Sequence, residues 1–178
     1  LIHQKKENKY FVNILYVGQS EAIPMFQALS NELASRVEVG KVGFAISDSW
    51  AYEKWLAKNR NFELQGYILL KEWHFTSERM ENVDYDLLRR YESEIGAEPG
   101  LFGAIVADRR LIMGHDCTYT QDYRRRFSDN ELLSILQVAI QKIDHLFAEL
   151  KPDLVVGFIC VTILDYLVYL FAKARGVG

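Results

Sequence analysis

FVNILYVGQSEAIPMFQALSNELASR, from Phe11 to Arg36, and KPDLVVGFICVTILDYLVYLFAKARG, from Lys151 to Gly176, are two versions of one pattern. Each opens with a short run of β-branched and other apolar residues, passes through a turn carrying glycine, and continues at helical spacing. That is the βα unit of a parallel, doubly wound sheet. Such sheets hold ligands in the loops at the carboxyl ends of their strands. The first candidate site is therefore Gly18 to Ile23, with its counterparts after later strands. The fold class this predicts is α/β: a Rossmann-like doubly wound parallel sheet with helices on both faces.

Working outward, the first strand is expected at Val12–Val17. Pro24 suits the first turn of the helix that follows, where a missing N–H costs nothing. Met25, Phe26, Leu29 and Leu33 fall on one face of that helix. Lys41 to Ile46 reads as a second strand, and Asp48 or Ser49 can cap a helix running to about Asn59, burying Tyr52, Trp55 and Leu56. A third strand is expected at Tyr67–Leu70, ending in the loop Lys71-Glu72-Trp73-His74. Asp84 to Ile95 has helical spacing, and Gly96 stops it. Pro99 opens a short helix through Leu101, Phe102, Ile105 and Val106, and a polar loop then reaches Phe127. Ser128-Asp129-Asn130-Glu131 is a capping box, starting a long helix that Lys151-Pro152 ends.

The bulk properties narrow the function classes. With 178 residues, 49% hydrophobic and 25% charged, the chain fits one globular domain: a flexible tail at 1–10 and a folded unit at 11–178. The net charge of −3 gives no support for a nucleic-acid partner. Arg124-Arg125-Arg126 is a solvated loop or, less commonly, a contact for phosphate, acidic glycan or anionic lipid. Cys160 reads as a buried small hydrophobe. His115, Asp116 and Cys117 are adjacent, which is poor spacing for one metal ion, so no metal site is expected. The polar, lysine-rich start from Leu1 to Tyr10 lacks an apolar targeting core, and a cytoplasmic location is expected.

Leu154 to Ala172 spans 19 residues with one charge, Asp165, long enough to cross a bilayer. A buried strand and helix is the better reading. Val155-Val156-Gly157 resembles a strand end, and Thr162 followed by Asp165 resembles a helix start. Placing Asp165 mid-membrane would also cost roughly 2.5–3.5 kcal/mol. Peripheral contact with a membrane surface is the second alternative.

Absent motifs exclude several chemistries. The first loop reads VGQSEAIP rather than G-x-G-x-x-G, and no P-loop, G-x-S-x-G elbow or H-E-x-x-H is present. Gly18, Gln19, Ser20 and Glu21 remain at the first strand end. Gly18 permits a sharp turn and close ligand approach, while Ser20 and Glu21 either cap the next helix or face a ligand. His74 follows the third strand. It is a surface or partly buried histidine, or a base for a sugar hydroxyl. Asp108 and Arg109 are expected to pair with each other or with the fold. Trp50 and Trp73 flank two strand ends; core packing is the better reading, though aromatic faces also suit sugar rings.

Three stretches together, VGQSEAIPMF, DYDLLRRYESEIGAEPGLFGAIVADRRL and FSDNELLSILQVAIQKIDHLFAELKPDLVV followed by FAKARGV, resemble the N-terminal half of bacterial or archaeal surface and capsular polysaccharide biosynthesis proteins. These are glycosyltransferase-like proteins of the GT-B type. The resemblance implies one of two Rossmann-like domains facing a cleft. This one would hold a glycan or lipid-linked acceptor, and a second domain would bind a nucleotide-sugar donor. It implies no cofactor beyond that donor substrate. Under this reading Glu21 or His74 is the general base, and Gly18, Gln19, Ser20, Trp73 and Arg109 contact the acceptor. A sugar-nucleotide 2-epimerase-like domain and a non-catalytic glycan-binding or assembly module are the alternatives. Because the chain stops where an alternating fold should supply another strand, a truncated domain is expected. Its last helix (Leu164, Leu167, Val168, Leu170, Phe171) should then be left partly uncovered, favouring self-association.

Overall fold

A computed structural model describes residues 11–96, 100–112 and 126–178. The strands are β1 (Phe11–Gly18), β2 (Glu38–Ile46), β3 (Ile68–Lys71) and β4 (Leu154–Val156). They form one sheet in the order β3-β2-β1-β4, and every pairing is parallel. The expected α/β class and Rossmann-like arrangement are present.

Period-two alternation sorts the β1 side chains onto two cores. Ile14 and Tyr16 join Phe44, Ile46, Phe26 and Tyr52 on one face. That face is covered by α1 (Ile23–Ala34) and α2 (Ser49–Leu56). Leu15 and Val17 join Ala45 and Leu70 on the other. There the cover comes from α4 (Tyr85–Ile95), α5 (Phe102–Ala107), α7 (Asp129–Leu150) and α8 (Ile163–Ala174). Two short helices, α3 (Trp73–Ser77) and α6 (Arg109–Ile112), stand where the sequence suggested loops.

The longest helix, α7, begins with the capping box at Ser128 and Glu131. Lys151 ends it in a left-handed conformation, φ 50°, with Pro152 next. The buried polar side chains of α7 are used. Ser134 Oγ accepts from the Met80 N–H at 2.6 Å and donates to the Met80 carbonyl at 2.9 Å, while Gln137 Oε1 accepts from the Asp84 N–H at 2.7 Å. These bonds pin the segment between α3 and α4 to the core. Gly43 lets α7 approach β2 closely; a Cβ there would stand 2.7 Å from Leu150 Cδ2.

Several expectations need correction. In α8, Leu164, Leu167 and Val168 are at most 1% exposed, because α7, α5 and α4 cover that face; it is not bare. Cys160 is exposed, since it lies in the loop after β4 rather than inside an element. Trp50 is 71% exposed at the start of α2, with the Lys54 ammonium 4.9 Å from its ring centroid. Trp73 does pack inward, 5.6 Å from Tyr52 between ring centroids. Met25 and Leu29 on α1 are exposed, leaving Phe26 as that helix's main anchor. No described helix is long and apolar enough to cross a membrane. The expectations at Pro99, His115-Asp116-Cys117 and Arg124-Arg125 lie outside the described residues.

Candidate functional site

The helix after β1 covers one face of the sheet and the helix after β4 covers the other. Adjacent parallel strands that send their chains to opposite faces leave a crevice at their carboxyl ends. A cavity of about 450 Å³ lies there. Gln19, Glu21 and Met25 line it from the β1 side, and Phe158, Ile159 and Val161 from the β4 side.

Local geometry explains why these side chains meet. The chain leaves β1 through a 3-10 turn, Ser20–Ala22, which delays the start of α1 to Ile23. Ala22 is the residue before the helix and gives no side-chain cap, so Ser20 and Glu21 do not cap α1. Ser20 is instead fully buried, with its Oγ 3.3 Å from Glu21 Oε2. Gly18 stays in extended strand geometry; a Cβ there would meet Phe26 and Phe158 at 3.4–3.5 Å, ordinary contact. The sharp turn expected of it is therefore not made. On the far wall Phe158, Ile159 and Val161 are 64%, 75% and 52% exposed. A consecutive run of exposed apolar side chains is uncommon on a soluble surface.

Beside this cavity lies a second, of about 390 Å³, and Ser47 lines both. Its floor is a charged network that the sequence reading missed. Arg110 donates to both carboxylate oxygens of Asp108, from Nε at 3.0 Å and Nη2 at 2.7 Å. It also donates to the Ser47 carbonyl at 3.0 Å and to Glu72 Oε1. Asp108 further accepts the backbone N–H groups of Arg110, at 3.0 Å, and Ile163, at 3.2 Å. The network thus ties together β2, the end of β3, the α5–α6 corner and the start of α8. The partner of Asp108 is Arg110, not Arg109, because the α5–α6 corner turns Asp108 inward at 1% exposure and leaves Arg109 exposed.

One guanidinium faces two buried carboxyl groups, Asp108 and Glu72. Asp108 accepts four hydrogen bonds. Glu72 has one partner, Arg110, and its Oε2 is buried without any. Burial outweighs the attraction of Arg110, with help from the negative charges of Asp108 and Asp165, and pushes the Glu72 pKa up to about 8. The shift favours the uncharged acid form of Glu72 near neutral pH. Asp165, whose Oδ2 lies 3.4 Å from the Val161 N, is also raised by burial.

The remaining predicted site residues are dispersed. Trp73 lines the second cavity. His74 sits on α3 with Nδ1 3.2 Å from Glu78 Oε1 and lines neither cavity. Arg109 likewise lines neither. The structure therefore brings Gly18, Gln19 and Glu21 together, with Ser20 buried beneath them, and sets Trp73 next door. Among the described residues no cluster of histidine, cysteine and acidic side chains could hold a metal ion. Glu72 and Arg110 carried a weak sequence signal, a charged residue directly after a strand and one at a helix corner, but nothing in the sequence joined them. Compared with protein-family models, curated proteins and solved structures, the chain finds no match in any of the three.

Proposed function

We propose that this is the acceptor-side domain of a glycosyltransferase-like protein that builds a cell-surface glycan. The observation that carries the reading is an exposed carboxylate, Glu21, lining a cavity at the sheet's switch point. A carboxylate there can take the proton from an acceptor hydroxyl as that oxygen attacks the sugar carbon and the donor's nucleotide departs. The apolar wall of Phe158, Ile159 and Val161 suits the lipid portion of a lipid-linked acceptor. Gln19 and the backbone at Gly18 stand at the same mouth, where sugar hydroxyls need donors and acceptors. His74 has less support as the base, because Glu78 engages it and it lines neither cavity.

The test is sugar transfer from nucleotide-sugar donors to a lipid-linked oligosaccharide, in protein that pairs this domain with a donor-binding domain. Glu21→Gln should lower kcat by about 10²–10⁴-fold, and His74→Ala should leave it unchanged. Wild-type turnover in E21Q would overturn the assignment of the base. A second reading, a non-catalytic glycan- or lipid-binding module, is favoured by the exposed apolar loop 158–161. Acceptor binding without transfer to any acceptor would select it.

A further inference from the structure

The cavity beside Ser47 takes no part in that chemistry, yet it is the more fully built of the two. Its sides come from Trp50 at the start of α2, Trp73 and Thr76 on α3, and Arg126 before α7. Two features stand out there. Trp50 leaves 71% of its surface in water, although a large aromatic side chain normally gains by burial. Glu72 is only 8% exposed, and its Oε2 has no hydrogen-bond partner. An unpartnered buried polar atom costs about 1–3 kcal/mol. Arg110 bonds the other oxygen of Glu72, Oε1.

We propose that this cavity is a sugar subsite, in which a pyranose ring lies against the indole of Trp50 and one of its hydroxyls pairs with the Glu72 carboxyl group. The rim decides the ligand class. Asp48 disfavours a phosphate, while Arg110 and Arg126 disfavour a cation. A neutral polyol both donates and accepts, so it satisfies acids, guanidinium groups and the hydroxyls of Ser49 and Thr76 alike. Its C–H face adds apolar contact with the indole. The inference rests on the acceptor reading and extends it: the glycan would run from the Glu21 cavity across Ser47 to Trp50.

The experiment is saturation-transfer-difference NMR on this chain, with the methyl pyranosides of glucose, galactose, mannose and N-acetylglucosamine as probes. Wild type should saturate the ring protons of at least one. Trp50→Ala should weaken its affinity roughly three- to tenfold, the loss of one aromatic contact. Leu64→Ala, at an exposed position that lines neither cavity, should leave it unchanged. Both variants are at exposed positions, and circular dichroism checks their folding. Binding unaffected by W50A overturns the subsite. If Phe158→Ala, in the other cavity, abolishes the signal instead, the sugar sits in the Glu21 cavity, so the subsite falls and the acceptor reading stands. No saturation of any pyranoside by wild type overturns the subsite, while the acceptor reading stands or falls by the transfer assay.

Discussion

Replacing Glu72 by glutamine should flatten the pH dependence of this protein's stability. The folded chain holds the Glu72 proton up to about pH 8, while an unfolded chain releases it near 4.5. Between those values the native state binds more protons than the unfolded state, so stability falls as pH rises. One group displaced in this way contributes a slope of about 1.4 kcal/mol per pH unit. Over the whole window the ceiling is roughly 5 kcal/mol, and readjustment around Arg110 brings the expected loss to about 2–4 kcal/mol. Glutamine matches the shape of the neutral acid and cannot ionise. Urea unfolding of wild type and E72Q at pH 5.5, 7 and 8.5 measures the difference directly, since every other titrating group is common to both. E72Q should already be somewhat the more stable at pH 5.5, and its lead should grow through pH 7 to 8.5. A gap that stays constant with pH, or one that favours wild type at high pH, would show that Glu72 is ionised in the native state. The reading of Glu72 as a neutral acid in the folded chain would then be wrong.

Asp108→Asn should lower stability by about 3–5 kcal/mol, because it leaves the Arg110 guanidinium without its main buried partner; the urea midpoint reads this. Ser134→Ala removes both bonds to Met80 and should cost about 1–3 kcal/mol, with limited proteolysis near Met80 rising in parallel. Gly43→Ala should cost about 1–3 kcal/mol by overpacking Leu150, and the penalty should shrink in a Leu150→Ala background, as a double-mutant cycle would show.

Much of the fold was legible locally, because the signals that set elements are local. The apolar alternation of β1, the capping box at Ser128, the Thr162 cap of α8 and the left-handed stop at Gly96 each depend on neighbours within a few residues. Those signals determined the α/β class, the parallel sheet and the place of the candidate cavity beside the loop after β1. They did not reveal which polar groups would meet. Glu72 and Arg110 are 38 residues apart, and Asp108 meets the Ile163 N–H across 55. Nothing in a linear pattern distinguishes Arg110 from Arg109 at the α5–α6 corner; packing decides, turning Asp108 into the core and leaving Arg109 in water. Exposure behaved likewise. Cys160 looked buried because its neighbours are apolar, yet the loop after β4 carries it to the surface beside Phe158 and Ile159. Local chemistry chose the elements and their order. The crevice, the buried acid and the exposed indole arise only once the strands align, because burial and hydrogen-bond partners are properties of the whole packed chain.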